Sequence, residues 1–341
     1  GIIVVALVFL PLLRVGGMQM FQMDSFSNFG QSLPKVREIA QSVSLIYLTL
    51  TILAILAYLA SGLRLFDSVV HAMTTISTGG FGNYDDSFAN FPASTEYICV
   101  FFMIASSIPF IRYVQLSSGN FQGPIKDSQI KTFLVIVAFV VAILFMWLVI
   151  EQNLSKSFAF RKTLFNGVSI LTGTGFSSDN YMLWGTFPFS FFLIIGLIGG
   201  CAGSTTCSIK VFRFQILFSA FMAQVRHMHH SRAVFATRYE GKKVSLDVIS
   251  SVIAFFILFF VTLFVITLLL SLTGLDFVTS ISGAVSTLAN IGPGLGERIG
   301  PLGNYSDLNS WAKMILIFSM FIGRLELMVV YVLFTLTFWR G

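Results

Sequence analysis

Leu171-Thr172-Gly173-Thr174-Gly175-Phe176 is a short polar, glycine-rich segment between two apolar runs near the middle of the chain. In a lipid bilayer, irregular backbone is tolerated only where protein covers it or where it lines a watery cavity, because unpaired N–H and C=O groups are costly in hydrocarbon. The apolar run before it, 158–170, is too short to span a bilayer, whereas the run that begins at Phe187 is long enough. A short helix, a polar turn and a spanning helix together predict a re-entrant pore loop.

The same pattern occurs three times along the chain. Aligned on one glycine, the three stretches are Thr75-Ile76-Ser77-Thr78-Gly79-Gly80-Phe81, Ile170-Leu171-Thr172-Gly173-Thr174-Gly175-Phe176 and Thr287-Leu288-Ala289-Asn290-Ile291-Gly292-Pro293. We refer to them as the first, central and last glycine loops. Each follows a short amphiphilic stretch (66–74, 158–169 and 276–286) that itself follows a long apolar run. Internal repeats of this kind in a membrane chain indicate pseudo-symmetric parts around a shared site.

The composition is that of an integral membrane protein. Hydrophobic residues make up 55% of the chain and charged residues 11%, and the mean hydropathy is +0.85, whereas soluble domains carry about 25% charged residues. The net charge of +6 does not indicate a nucleic-acid partner, because the basic residues are spread through loops. The three cysteines have neither a disulfide framework nor zinc spacing. We find no nucleophile–base set, Walker loop or dinucleotide fingerprint, so we predict no enzyme activity and no organic cofactor.

Apolar runs predict the spans and their interruptions. We expect spans at 43–61, 97–110, 132–150, 187–221, 248–272 and 311–339, with a bend at Pro109. The run 187–221 is too long for one simple helix, and its middle, 199–208, is small and polar, which predicts a break inside the membrane. The chain opens at Gly1 inside an apolar run without an initiator Met. We therefore expect a fragment or a trimmed form in which residues 1–13 are the end of a spanning helix.

The distribution of charge predicts the orientation in the membrane. Twelve basic residues lie in one set of loops, against five in the loops on the side of the glycine loops: Arg64, Lys156, Arg161, Lys162 and Arg298. The positive-inside bias places the first set in the cytoplasm. The glycine loops then face outward, where an acidic vestibule concentrates cations.

The glycine loops have the chemistry of a filter for a monovalent cation. A dehydrated cation needs oxygens in place of its water, and backbone carbonyls supply them without fixed charge. Gly80, Gly175 and Gly292 permit the backbone angles that turn successive carbonyls toward one axis, while the short helices direct their negative C-terminal ends at the ion. The side chains of Thr78, Thr172, Thr174 and Asn290 either add oxygens or brace the loops. The absence of Asp and Glu from these loops argues against a site for a divalent cation. The alternative to a filter is that the three loops are ordinary extracellular turns.

Two basic residues fall within apolar segments, Lys210 and Arg324. Intramembrane charge marks a pathway or a paired site. Arg324 is either a positive charge below the filter that repels cations or a structural partner of Glu326. Lys210 either contributes to the pathway or extends to the cytoplasmic interface. We interpret the segment Arg226-His227-Met228-His229-His230 as a solvated basic cytoplasmic loop rather than a metal site.

Several motifs along nearly the whole chain resemble the TrkH/KtrB superfamily of potassium transporters, in particular the bacterial TrkH proteins. They are Leu12-Leu13-Arg14-Val15-Gly16-Gly17-Met18-Gln19, His71-Ala72-Met73-Thr74-Thr75-Ile76-Ser77-Thr78-Gly79-Gly80-Phe81, Gly199-Gly200-Cys201-Ala202-Gly203-Ser204-Thr205, Ile209-Lys210-Val211, Leu288-Ala289-Asn290-Ile291-Gly292-Pro293-Gly294-Leu295-Gly296 and Gly323-Arg324-Leu325-Glu326.

The resemblance implies an all-α membrane fold with four helix–pore loop–helix repeats around a pseudo-fourfold pore. Three repeats are complete (39–121, 128–224 and 245–341), and residues 1–22 would be the end of the first repeat. Without the first filter strand, we expect the chain as given not to conduct selectively. The implied selectivity filter consists of Ser77, Thr78, Gly79, Gly80, Thr172, Gly173, Thr174, Gly175, Ala289, Asn290, Ile291 and Gly292. K⁺ would bind at Thr78, Gly79, Thr172, Gly173, Asn290 and Ile291.

The resemblance also implies a gate and partners. The segment 199–208 would form an intramembrane loop that gates beneath the filter, and the gate residues are Gly199, Gly200, Gly203, Lys210 and Arg324. The family loop commonly continues with glycines, whereas this chain has Thr206-Cys207-Ser208. The implied assembly is a homodimer in the bacterial inner membrane with a cytoplasmic nucleotide-binding regulatory subunit of the TrkA type.

The function that we predict is potassium uptake through a gated, glycine-based filter. The first alternative is a coupled secondary cation transporter, with K⁺/Na⁺ or K⁺/H⁺ symport, which would need a polar mid-membrane cavity larger than an ion. The second is a structural membrane subunit that transports nothing.

Overall fold

The computed structural model describes residues 33–230, 235–325, 327–334 and 338–339. The predictions made for residues 1–22 and for Glu326 lie outside these residues. In chain order the elements are α1 (Leu33–Ala60), α2 (Leu65–Ile76), α3 (Ala93–Ser106), α4 (Phe110–Ser117), α5 (Gln122–Lys126), α6 (Ser128–Ile150), α7 (Lys156–Thr172), a 3-10 turn (Tyr181–Trp184), α8 (Thr186–Ile195), α9 (Val211–His229), a hairpin of β1 (Arg238–Tyr239) and β2 (Lys242–Lys243), α10 (Leu246–Leu272), α11 (Phe277–Leu288), α12 (Ser310–Arg324) and α13 (Leu327–Leu333).

Three of these helices are long and apolar enough to cross a bilayer. They comprise Ala40–Ala60 within α1, all of α6 and all of α10, and the number of spans rises to five if the bent pairs α3/α4 and α12/α13 each count as one. Large apolar side chains cover their outer faces: Leu56, Phe139 and Leu268 are all exposed. In water such surfaces would be unfavourable, whereas in lipid they need no cover. The chain is therefore a multi-pass helical membrane protein, as the composition predicts.

Each long helix is followed by a short helix that packs against it. The pairs are α1 with α2, α6 with α7, and α10 with α11. The short helices have 12, 17 and 12 residues, which corresponds to lengths of about 18, 26 and 18 Å. Because the hydrocarbon core is roughly 30 Å thick, these helices are too short to cross it.

The helix that follows each glycine loop is interrupted. At Pro109 the chain bends by 89° between α3 and α4, as predicted, because proline removes a helical hydrogen bond and its ring clashes with the preceding turn. The predicted break in 187–221 is also confirmed, since α8 ends at Ile195 and α9 begins at Val211. The predicted span over 311–339 is not one continuous helix, because α12 ends at Arg324 and α13 follows it at an angle of 108°.

Polar side chains fix where several helices begin. Asp127 accepts hydrogen bonds from the backbone N–H groups of Gln129 (2.8 Å) and Ile130 (3.3 Å) at the start of α6. Asp276 accepts one from Thr279 N–H (3.0 Å) at the start of α11. Such caps satisfy N–H groups that lack a partner inside the helix. The hydrogen bonds from Thr279 lower the pKa of the Asp276 carboxyl.

A buried ion pair joins α3 to α7. The Lys162 ammonium lies 2.9 Å from Glu96 Oε1 and also donates to the Ser178 carbonyl at 2.7 Å, while Arg161 lies 3.6 Å from the same carboxylate. The prediction that Arg161 and Lys162 lie in an outer loop is wrong, because α7 begins at Lys156 and contains both. Lys162 thus ties the turn that follows the central glycine loop to the neighbouring helix.

The basic segment 226–230 is helical rather than a loop. Helix α9 continues to His229, and the side chains of Arg226, His227 and His229 are exposed. Within the described ranges, no group of three or more His, Cys, Asp or Glu residues could hold a metal ion.

Candidate ion pathway

The three glycine loops have the same backbone conformation. Each contains two residues with positive φ, separated by one residue: Thr78 (50°) and Gly80 (66°), Gly173 (67°) and Gly175 (85°), Asn290 (54°) and Gly292 (119°). Only glycine reaches such angles at little cost, and asparagine tolerates them better than most residues. The helices α2, α7 and α11 end directly before these residues, so that the partial negative charge of three helix C-termini is directed at the loops.

Neighbouring loops lie against each other in a repeated way. A Cβ atom at Gly80 would overlap with the carbonyl oxygen of Thr174, and a Cβ atom at Gly175 would overlap with the carbonyl oxygen of Ile291. Thr174 and Ile291 hold equivalent positions, one residue before the aligned glycine of their own loops. The first loop is therefore related to the central loop as the central loop is to the last. This arrangement brings the predicted filter residues of all three loops together.

A hydroxyl residue behind each loop holds it in place. These residues, Thr74, Ser169 and Ser286, lie six positions before the aligned glycines, and we call them the brace residues. Their backbone carbonyls accept loop N–H groups: Thr74 from Gly79 (2.7 Å) and Gly80 (3.4 Å), Ser169 from Thr174 (3.0 Å) and Gly175 (3.3 Å), and Ser286 from Ile291 (2.8 Å).

The hydroxyl groups of the brace residues bind the same loops a second time. Their Oγ atoms donate to the carbonyls of Phe81 (2.9 Å), Phe176 (2.5 Å) and Gly292 (2.7 Å), in that order. These residues were not predicted from the sequence. The available signal was a Ser or Thr at the same position, directly before all three aligned stretches.

The polar side chains within the loops bind protein partners. The Thr78 hydroxyl donates to the Thr205 carbonyl at 2.9 Å, and the hydroxyls of Thr172 and Thr174 lie 2.8 Å apart. The Asn290 amide donates to the Met320 carbonyl at 3.1 Å. Of the two roles left open for these side chains, bracing agrees with these contacts.

The intramembrane loop 199–208 is closed at its base. Ile198 and Ile209 form a parallel bridge, with hydrogen bonds from Gly199 N–H to the Ile209 carbonyl (2.9 Å) and from Val211 N–H to the Gly200 carbonyl (3.1 Å). A Cβ atom at Gly199 would overlap with the Cys207 carbonyl. The small residues predicted for this break are therefore required by the close approach of its two ends.

This loop contacts the ends of two short helices. The Thr205 hydroxyl lies 3.0 Å from the Ile76 carbonyl at the end of α2, and the Ser208 hydroxyl lies 3.1 Å from the Ala289 carbonyl after α11. Because Ile76 and Ala289 lie near the starts of the first and last glycine loops, the intramembrane loop lies against the base of both.

Arg324 connects the intramembrane loop to the first glycine loop. It is the last residue of α12, and its Nη1 atom lies 2.6 Å from the Cys207 sulfur while Nη2 lies 3.5 Å from the Ser77 carbonyl. Its side chain thus reaches the intramembrane loop, which is predicted to form the gate, and the first glycine loop, which is predicted to form part of the filter. Helix α12 brings it there because Gly323 lies against α11, where a Cβ atom would overlap with the Leu288 carbonyl.

Lys210 and Thr206 stiffen the intramembrane loop. The Lys210 ammonium contacts the Thr206 carbonyl and lies 2.9 Å from its Oγ1 atom, and the Lys210 side chain is buried. This burial argues against the alternative in which Lys210 extends to the cytoplasmic interface. The Thr206 hydroxyl also lies 2.7 Å from the Ser204 hydroxyl and accepts from Gly200 N–H at 3.2 Å. Thr206 therefore joins both halves of the loop.

A cavity of about 780 Å³ runs along the first and last glycine loops. Its lining also includes Tyr84, Asp85 and Arg324. The same cavity thus adjoins the carboxyl-bearing Asp85 and the guanidinium-bearing Arg324.

The sequence profile of a family described as cation transport proteins, TrkH, matches residues 1–339. The chain belongs to the TrkH family. Among its relatives, the Trk system potassium uptake protein TrkI of Halomonas elongata is 39% identical, over all of this chain and 69% of the relative. The Trk system potassium uptake protein TrkH of Vibrio parahaemolyticus is 33% identical, over all of this chain and 71% of the relative.

A solved structure confirms the fold of this TrkH-family chain. The crystal structure of the potassium transporter TrkH from Vibrio parahaemolyticus matches it with a TM-score of 0.89 at 32% identity, and the match covers 100% of this chain and 70% of the other. The resemblance to the family therefore extends to the backbone as a whole. In the sequence it is carried by the glycine loops, by residues 199–205 and by Gly323-Arg324-Leu325-Glu326.

Proposed function

We propose that this TrkH-family chain forms the potassium pathway of a Trk-type uptake system in the bacterial inner membrane. The observation that carries the proposal is the repeated contact between loops, in which Gly80 and Gly175 each lie against a carbonyl oxygen of the next loop. Relatives that match the whole of this chain are named potassium uptake proteins. A cage of uncharged oxygens suits that ion, because carbonyl oxygens can replace the water around K⁺.

In the proposed mechanism, K⁺ sheds its water at the glycine loops and binds backbone carbonyls. The filter is formed by Ser77, Thr78, Gly79, Gly80, Thr172, Gly173, Thr174, Gly175, Ala289, Asn290, Ile291 and Gly292, and K⁺ binds at Thr78, Gly79, Thr172, Gly173, Asn290 and Ile291. Carbonyl dipoles and the C-terminal ends of α2, α7 and α11 stabilise the ion. The brace residues keep the loops from closing around a smaller ion.

The proposed gate is the intramembrane loop together with Arg324. Its residues are Gly199, Gly200, Gly203, Lys210 and Arg324. A K⁺ ion about 5 Å from the guanidinium would be repelled by about 3 kcal/mol at an effective dielectric constant of about 20. Arg324 beside the Ser77 carbonyl therefore opposes passage until it moves.

Opening requires the hydrogen bonds between the loop and its neighbours to break. The loop is held to the first and last glycine loops through Thr205 and Ser208, and to α12 through Cys207 and Arg324. It is also held to the end of α3 by Cys201 N–H and Thr205 N–H, which donate to the Ser107 and Ser106 carbonyls, and to α6 by Ala202 N–H, which donates to Gln129 Oε1. Each hydrogen bond contributes about 1 kcal/mol net, so displacement of the loop carries the summed cost of these bonds.

We extend the proposal to the organisation and assembly of the protein. The repeats span 39–121, 128–224 and 245–341, and residues 1–22 belong to a preceding one. The native transporter is a homodimer, and a nucleotide-binding subunit of the TrkA type regulates it from the cytoplasmic face. The exposed basic end of α9 supports assigning that end of the protein to the cytoplasmic face.

Flux measurements on the protein at its full natural length test the function. Reconstituted in liposomes, it is expected to pass K⁺ down its gradient and to exclude most Na⁺. Uptake that depends on an imposed Na⁺ or H⁺ gradient would instead support the coupled transporter, and no flux with correctly folded protein would support a structural subunit.

A further inference from the structure

The carbonyl of Gly292 accepts two hydrogen bonds from side chains. The Tyr305 hydroxyl donates to it at 2.6 Å and the Ser286 hydroxyl at 2.7 Å. The two hydroxyl oxygens lie 3.3 Å apart. Both lone-pair regions of this carbonyl are therefore occupied by protein donors.

The equivalent glycines in the other two loops differ. In the part of the chain that the structure describes, no hydrogen bond reaches the carbonyl oxygens of Gly80 or Gly175. In those loops the brace hydroxyl binds the carbonyl one residue further on, at Phe81 and Phe176. In the last loop the contact of the brace hydroxyl is thus shifted by one residue.

This shift directs the Gly292 carbonyl toward the short helix behind it. The brace residue Ser286 is buried within α11, and a carbonyl that binds it faces α11. The φ angle of Gly292 is 119°, compared with 66° and 85° at Gly80 and Gly175. The last loop therefore presents one oxygen fewer to the ion at the level of the aligned glycines.

Tyr305 is held rigidly enough to maintain this arrangement. It is half-buried and packs against the apolar cluster that includes Leu308 and Leu316. The outer loop before it is fixed by hydrogen bonds from Gly294 N–H to the Ile299 carbonyl (2.7 Å) and from the Ser177 hydroxyl to the Pro301 carbonyl (2.6 Å). The second of these bonds joins this loop to the segment that follows the central glycine loop.

We propose that Tyr305 is a positioning residue for ion selectivity: together with Ser286 it holds the Gly292 carbonyl out of the ion path. This inference rests on the proposed function, because it concerns the outermost oxygens of the same filter. A carbonyl that is free to rotate into the pathway can approach a small ion more closely than a large one, which favours Na⁺ relative to K⁺. Tyr305 thus lowers the passage of Na⁺ relative to K⁺ by restraining the Gly292 carbonyl.

The test compares K⁺ and Na⁺ flux of variants of the transporter at its full natural length in liposomes. Tyr305→Phe keeps the ring and removes the donor, and we expect the K⁺/Na⁺ flux ratio to fall by about fivefold. Ser286→Ala is a second variant that removes the other donor, and the double variant is expected to lower the ratio further. The matched control is Tyr113→Phe, because the Tyr113 hydroxyl also donates to a backbone carbonyl, that of Ala105 at 2.7 Å, outside the glycine loops.

The outcomes separate this inference from the proposed function. If the unmodified protein passes K⁺ selectively and both Tyr305→Phe and Ser286→Ala keep its ratio, Tyr305 has no positioning role, although the function stands. If the unmodified protein passes no K⁺, the function itself fails. A fall in ratio that Tyr113→Phe reproduces would indicate general loosening of the protein and would also overturn the inference.

Discussion

Gly175 leaves no room for a side chain, because a Cβ atom there would overlap with the carbonyl oxygen of Ile291 in the next glycine loop. The same relationship holds between Gly80 and Thr174. Glycine at these positions therefore serves two purposes: it permits a positive φ angle, and it allows neighbouring loops to approach closely enough for their carbonyls to share one ion.

Replacement of Gly175 by serine is expected to impair selectivity. The new Cβ atom would push the last loop away from the central loop, and the K⁺/Na⁺ flux ratio in liposomes should fall by about tenfold or more. Gly274→Ser is the matched control, since Gly274 has nearly the same φ angle (87° against 85°), but a Cβ atom there would meet nothing within 4 Å. Equal effects of the two substitutions would show that backbone strain, rather than contact between loops, explains the result.

Removal of the Arg324 side chain is expected to increase flux. Arg324→Ala removes a positive charge near the Ser77 carbonyl and also the contact with Cys207, so K⁺ flux in liposomes should rise by about tenfold. Arg324→Lys keeps the charge and should remain close to the unmodified protein. Unchanged flux in Arg324→Ala would remove this residue from the gate.

Loss of a brace hydroxyl is expected to lower selectivity without loss of the fold. Thr74→Val keeps the shape of the side chain but removes the hydrogen bond to the Phe81 carbonyl, which should reduce the K⁺/Na⁺ ratio by about fivefold. Thr267→Val is the control, because the Thr267 hydroxyl donates to the Leu263 carbonyl of its own helix, away from the glycine loops. The role of the brace residues would be refuted if both variants had the ratio of the unmodified protein.

Local patterns in the chain predicted much of this architecture. The positive φ angles of Gly80, Gly175 and Gly292, the bend at Pro109 and the break between α8 and α9 all follow from residue types with strong backbone preferences. These features depend on neighbours in sequence and on the bilayer, so a single sequence is sufficient to predict them.

Other features depend on contacts between distant segments. The end of α12 at Arg324 accompanies the close approach of Gly323 to the Leu288 carbonyl, and the pairing of Lys162 with Glu96 joins two helices. No periodicity within either segment indicates its partner. The brace hydroxyls were visible as a repeated residue type, but their role became apparent only when the loops were seen to fold back onto α2, α7 and α11.

The central claim is that the glycine loops enclose the ion with backbone carbonyls. The most direct test is to locate the binding site of Tl⁺, a heavy analogue of K⁺. Crystals of the full-length transporter soaked in Tl⁺ should show anomalous density in the space enclosed by the loops of Gly80, Gly175 and Gly292, and Gly175→Ser should abolish that density. Tl⁺ bound only at the acidic outer side chains, with none between the loops, would contradict the account.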